Sequence, residues 1–263
     1  MLSFITVGVA ALLVSGLTMY SGFGLGTLLL PVFALFFPVE AAVAATAVVH
    51  GANNVFKVSL LGKHADRNLV IKFGLPAILA AFAGAAALGY MSHLGQIASY
   101  TIGSRTAVIT PLKLLLGFLM FVFALFELLP RFKRLTFSKD YLFLGGLISG
   151  FFGGLSGHQG ALRSAFLAKA GISAQAFVGT NAWIGFMVDA ARISVYAYVF
   201  FLAEANGIVA PGQVPLVLTG ILCAFAGVLI GKRFLHKITM TSIQTITGVL
   251  LMGIAFTLSA GLI

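Results

Sequence analysis

The chain has 263 residues, of which 60% are hydrophobic and 8% charged, with a net charge of +10. Soluble domains carry roughly 25% charged residues, so no water-facing surface can be assembled from this composition, and a soluble enzyme or nucleic-acid-binding domain is excluded. The one cysteine, Cys223, has no partner within the chain, which rules out a disulfide framework.

In chain order, the first apolar segment is 4–37. As one helix its 34 residues would extend ~51 Å, well beyond a ~30 Å hydrocarbon core, so it must bend, and SGFGLG at 21–26 is the place. No basic stretch precedes it, so no cleaved signal peptide is expected. Helices are then predicted at 39–62, 73–90 and 107–129. A second interrupted segment follows at 141–170, then helices at 173–202, 214–231 and 240–263.

Charge gives orientation. Ten of the sixteen Lys and Arg fall in three short connections: Lys63, Arg67 and Lys72; Arg131, Lys133, Arg134 and Lys139; Lys232, Arg233 and Lys237. Clustering of this kind marks the cytoplasmic side of a membrane protein and is not a nucleic-acid footprint. The 203–213 connection carries Glu204 and no basic residue, and 91–106 carries Arg105 as its only Lys or Arg, so both are expected outside. An inside loop at 131–139 and an outside loop at 203–213 require an odd number of crossings between them. One helix, 173–202, supplies one, so 141–170 either enters and leaves on the same side as a hairpin or crosses twice. Its limbs, about 15 and 11 residues, rise only ~22 and ~16 Å, which favours the hairpin, as does Lys169 at the end of the second limb.

The halves 1–138 and 139–263 resemble each other. ILAAFAG at 78–84 matches ILCAFAG at 221–227, and SGLTMYSGFGLGTLLLPVF at 15–33 resembles SGFFGGLSGHQGALRSAFL at 149–167 with one gap. Thr46 and Gly51 then fall on Thr180 and Gly185, and Gly117 on Gly248. Three net crossings per half invert the second relative to the first. The expected fold class is therefore an all-α polytopic membrane protein of two inverted repeats. Each is a glycine-broken re-entrant or hairpin segment followed by three transmembrane helices, a plan that recurs in secondary transporters with ligand sites near the midplane.

Candidate ligand-binding residues lie at the breaks and on two polar helices. The first break holds Ser21, Gly22, Phe23, Gly24, Leu25, Gly26 and Thr27; the second holds Ser156, Gly157, His158, Gln159 and Gly160. Irregular backbone at membrane depth survives only inside protein or along a wet cavity. The free N–H groups and dipole ends of the returning limbs favour an anion; close helix packing is the competing use of these glycines. His50, Asn53, Asn54 and Lys57, spaced i, i+3, i+4, i+7, share one helix face. Their counterparts are Asn181, Asp189 and Arg192, and Arg163 lies in the second limb. Lys57 and Arg192 align within one residue, so each half offers a cation at an equivalent depth. A snorkelling Lys57 and an i,i+3 Asp189–Arg192 pair are the structural alternatives. His50 and His158 could carry protons or be ordinary buried histidines.

Two motifs of soluble or proteolytic enzymes are discounted. GFGLGT lies in a membrane span with no strand before it. GLSG at 154–157 has the form of an intramembrane serine protease motif, but the only later histidine, His236, is in a basic loop. No spacing of His, Cys and carboxylates suggests a metal, and no cofactor is expected.

The segments GFGLGTLLLPVFALFFPVEAAVAAT at 22–46 and GGLSGHQGALRSAFLAKAGISAQAFVGT at 153–180 resemble the TauE/SafE family, also called the 4-toluene sulfonate uptake permease family. Gly22, Gly24, Gly26, Pro31 and Thr46 match its pattern in the first half, and Gly157, Gly160, Gly171 and Thr180 in the second. The family's run of adjacent glycines is interrupted by Phe23 and Leu25, and by His158 and Gln159, and its proline is replaced by Ala165. The resemblance implies transport of sulfur-containing anions such as sulfite, sulfoacetate or other organosulfonates, often as export. The expectation is a secondary transporter in a bacterial-type plasma membrane, one repeat moving against the other, with a small anion and the bilayer as partners. A homo-oligomer is left open. A passive anion channel and a membrane-embedded enzyme are the alternatives.

Overall fold

The computed structural model describes residues 1–19, 24–103, 105–133, 137–167, 170–202, 213–234 and 240–263. Ser21, Gly22, Phe23, Arg134, Lys169, Glu204, His236 and Lys237, all of which enter the sequence reading, lie outside the described residues.

The fold is all-helical apart from one small hairpin. Helices run over Leu2–Leu17 (α1), Leu25–Ala34 (α2), Val39–Leu61 (α3) and Arg67–Ser92 (α4). The strands Ala98–Ile102 (β1) and Arg105–Ile109 (β2) follow, then Pro111–Leu128 (α5) and the short Pro130–Lys133 (α6). The second half holds Leu142–Ser156 (α7), Gly160–Leu167 (α8), Ala174–Ala197 (α9), Val214–Phe234 (α10) and Met240–Ser259 (α11). Among the described residues four helices, α4, α5, α9 and α10, are long and apolar enough to cross a membrane. α3, with 23 residues, extends ~34 Å and carries the polar face. Large apolar side chains such as Leu79, Phe118, Leu222 and Phe256 are exposed, while Asp189, Arg192 and Arg163 are buried. This inside-out distribution suits a hydrocarbon surround, and the chain is a membrane protein.

Both broken segments are hairpins. A Cβ built at Gly24 would sit 2.6 Å from Thr18, and one at Gly220 would touch both Val7 and Phe33. The end of α2 is therefore level with the start of α1. Likewise a Cβ at Gly145 would strike Phe166, and one at Gly153 would meet Gln159, so α8 returns alongside α7. Its eight residues are fewer than the eleven expected. Gly24 (φ 114°) and Gly157 (φ 82°) supply the left-handed backbone at the two breaks.

Helix directions follow from the close contacts. α4 and α7 run parallel, with Gly146 on Phe73, Gly150 on Ala77 and Gly154 on Ala81. α1 and α10 also run parallel, with Gly227 on Leu12 and Gly231 on Gly16. In each case a Cβ would fall within 2.1–2.6 Å of a facing carbonyl oxygen, so only glycine permits the approach. α3 and α9 are antiparallel (Gly179 on Leu61, Gly51 on Asp189), as are α5 and α11 (Gly117 on Ser259, Gly248 on Leu128). One face of the bundle thus collects the ends bearing Lys63, Arg67, Arg131, Lys139, Lys232 and Arg233. The α7–α8 hairpin opens to this basic face and the α1–α2 hairpin to the opposite one.

Two features differ from the sequence reading. α4 begins at Arg67 rather than 73, because Asp66 caps it by accepting from Leu69 N at 3.0 Å, so Arg67 and Lys72 are on a helix and not in a loop. The 91–106 connection holds an antiparallel hairpin, Ala98 paired with Ile109 through Ile102 with Arg105. The hairpin turns at Gly103 (φ 60°), and Tyr100 Oη donates to Ala260 O at 2.6 Å. Its alternating, β-branched residues were hidden by a count of apolar runs.

Candidate functional site

The two hairpin tips meet inside the bundle. A Cβ at Gly26, in the first turn of α2, would lie 3.4 Å from Gly157 O and 3.6 Å from His50. α3 brings its polar face to this junction from one side and α9 from the other. The helices approach closely because each presents a glycine to the other's polar residue: Gly51 faces Asp189, and Gly185 faces Asn54 and Arg163.

Asp189 is the hub. Its Oδ2 accepts from His50 Nδ1 and Asn54 Nδ2, each at 2.7 Å. Its Oδ1 accepts from Arg192 Nε (3.0 Å) and Nη2 (2.7 Å), and more distantly from Gln159 Nε2 (3.5 Å). Burial of a lone carboxylate is very costly; here five donors, two of them on the Arg192 guanidinium, offset it. Gln159 hands the network on to the hairpin, its Oε1 accepting from Arg163 Nη1 at 3.0 Å. Arg163 Nε donates to Asn181 Oδ1 at 2.7 Å, and Asn181 is held by donating to Phe177 O. Arg192 also reaches the α7 backbone at Gly153 O (3.4 Å).

The remaining candidates line the same centre. Asn53 Oδ1 accepts from Ser15 on α1 at 3.0 Å, which leaves its buried Nδ2 with no partner. Ser156 donates to Phe152 O, so its oxygen accepts from His158 Nδ1 at 3.0 Å and His158 Nε2 is left as a buried acceptor with no partner. The His158 ring stacks on Phe123 of α5, centroids 5.1 Å apart and planes 9° from parallel. Gly160 and Thr27 are buried in the first turns of α8 and α2. Of the predicted site, Ser21, Gly22 and Phe23 lie outside the described residues, and all the rest is buried.

Lys57 and Arg192 take similar positions on their own helices. Lys57 is four residues from the end of α3 and Arg192 five from the end of α9. Because the helices are antiparallel, the two are separated by roughly 13 Å along the axis, toward opposite faces. The expected Asp189–Arg192 pair is present at 2.7 Å. Lys57, with 7% of its surface exposed, does not snorkel.

Sequence reasoning missed Ser15, Phe123, Gly153 and Tyr196. Tyr196, whose hydroxyl donates to Gly154 O, falls four residues after Arg192 on the same face, which is a usable signal. Ser15 lies in an apolar segment with nothing nearby to mark it. Thr180, in contrast, serves the fold: its Oγ1 accepts from Asp66 N at 2.9 Å.

A lipid-facing helical shell around a buried, cation-rich centre, reached by two opposed hairpins, is the architecture of a polytopic membrane transport protein. The family model for the sulfite exporter TauE/SafE family matches residues 4–258, and the chain belongs to that family. Membership implies membrane transport of sulfur anions such as sulfite. No curated protein matches the chain.

Proposed function

We propose that the chain is a secondary transporter that carries a small sulfur oxyanion, sulfite or an organosulfonate such as sulfoacetate, by alternating access to the junction of the hairpin tips. The observation that carries this reading is the charge of the junction. Arg163 and Arg192 are buried in its hydrogen-bond network and Lys57 is buried one turn beyond Asn53 on α3, and Asp189 is the one carboxylate hydrogen-bonded into it among the described residues. Buried charge in a membrane protein is expensive and is kept for function; an excess of cations suits an anionic cargo. The substrate-binding residues proposed are those of the two tips and of the polar faces of α3 and α9.

We further infer that residues 1–138 and 139–263 are inverted repeats. In support, exchanging the halves carries α1 against α10 onto α7 against α4. It also returns α3 against α9 and α5 against α11 to themselves, and it turns the hairpin open to one face into the hairpin open to the other. The basic face is assigned to the cytoplasm of a bacterial-type plasma membrane, with both termini outside.

Counterflow of labelled sulfite into proteoliposomes, against a panel of unlabelled anions, tests the function. Saturable counterflow accelerated by internal sulfite or sulfonate is expected. Non-saturating, voltage-driven flux would replace the carrier reading with a channel, and chemical turnover of the anion in detergent would replace it with an enzyme.

A further inference from the structure

The two halves furnish the centre with matched pairs, a polar residue followed three positions later by a cation. In the second half the pair is Asp189 and Arg192; in the first it is Asn54 and Lys57. The match is spatial as well: Gly51 faces Asp189, and Gly185 faces Asn54 in the equivalent place. The chemistry differs. Asp189 neutralises its own Arg192 at 2.7 Å. Asn54 is a neutral amide, and it donates to Asp189 instead.

Lys57 is therefore left without the counter-charge its repeat mate has. Among the described residues no acidic group lies within ion-pairing distance of it, and its charged neighbour, Arg163, has the same sign. One turn back on the same face, Asn53 holds its Nδ2 buried with no partner among the described residues; Ser15 fixes that orientation by occupying Oδ1. Both groups are donors only. Glu127, another buried carboxylate, is on α5, where its Cβ lies against Gly248 of α11. Among the described residues three cations, Lys57, Arg163 and Arg192, stand against Asp189, the one carboxylate hydrogen-bonded into the centre.

Resting on the anion-transport reading above, we propose that the centre is built for a doubly charged small oxyanion, such as the sulfite dianion or sulfoacetate, and that Lys57 with Asn53 Nδ2 is the seat of its second charge. Asn54, which faces Gly185 as Asp189 faces Gly51, carries no charge, and this keeps that seat open. Arg192, closed by Asp189, holds the framework.

The test uses the purified chain in proteoliposomes, with labelled sulfite in counterflow. Sulfoacetate, with two charges, and methanesulfonate, with one, are the competitors, and Lys57→Gln and Lys57→Arg the variants. The parent should prefer sulfoacetate. Losing one charge-assisted contact corresponds to about ten- to a hundredfold in affinity, so Lys57→Gln should weaken sulfoacetate by at least about tenfold and leave methanesulfonate little changed. Lys57→Arg should keep the parent's order. Lys57→Gln should also melt no lower than the parent, because it removes an uncompensated buried charge. A parent that prefers methanesulfonate, a variant that weakens both competitors alike or neither, or a Lys57→Gln protein that melts well below the parent would each overturn the seat and leave anion transport standing. A parent that shows no counterflow and is blocked by none of these anions overturns the transport reading, and the seat with it.

Discussion

Replacing Asp189 by Asn tests whether the centre is held by one carboxylate. The change is isosteric, but it puts an amide N–H₂ where an oxygen accepted hydrogen bonds. Either Arg192 loses both contacts to Oδ1 (3.0 and 2.7 Å) or His50 and Asn54 lose theirs to Oδ2 (2.7 Å each). In both cases Arg192, with no exposed surface, loses its counter-charge. Breaking a buried pair on one side costs about 3–5 kcal/mol, which for a chain of this size is a fall of about 6–20 °C in the thermal midpoint. Trp183, the single tryptophan of the chain, allows the transition to be followed by intrinsic fluorescence in detergent. Asp140→Asn is the control, since that residue is exposed and bonded only locally to Ser138; it should shift the midpoint by under about 2 °C. The Asp189→Asn/Arg192→Gln double variant should melt above Asp189→Asn alone, because removing both charges spares the stranded cation. An Asp189→Asn midpoint matching the parent's, or a double variant that simply adds the two losses, would refute the account.

Gly150→Ala should destabilise by about 1–3 kcal/mol, since its Cβ would fall 2.1 Å from Ala77 O, whereas Gly253→Ala, with nothing within 4 Å, should be neutral or stabilising in the same melting assay. On a Cys223→Ala background, a membrane-impermeant maleimide applied to intact cells should label Ile97→Cys and spare Arg131→Cys; labelling in the opposite order would invert the assigned topology. Arg163→Lys keeps the charge but cannot hold Asn181 and Gln159 together as the guanidinium does. It should lower kcat/KM for labelled sulfite by about tenfold or more, and an unchanged value would remove Arg163 from the site.

The apolar runs located the crossing helices, and the short limbs of 141–170, read with the basic loops, pointed to a hairpin before any coordinates. Local spacing also placed His50, Asn53, Asn54 and Lys57 on one face. It could not say what that face meets. His50 and Asp189 are 139 positions apart, and only the antiparallel packing of α3 on α9 joins them. Nor could alignment say how far Lys57 lies from Arg192; the antiparallel packing of α3 on α9 sets that distance. The β-hairpin escaped because its residues are neither apolar enough for a span nor charged enough to set topology.

The glycine contacts have a mechanical consequence. α4 is fastened to α7, and α1 to α10, by backbones too close to slide or roll past each other. Each fastened pair takes one helix from either side of residue 138. The boundary between the fastened units is then not the midpoint of the chain. Between α3 and α9 the one such contact, Gly179 on Leu61 O at 2.5 Å, is at the very end of α3, and the middle of that joint is latched by the side-chain bonds from His50 and Asn54 to Asp189. A covalent tie between α4 and α7 should leave transport running, and one between α3 and α9 should stop it; the reverse result would put the moving boundary back at the middle of the chain.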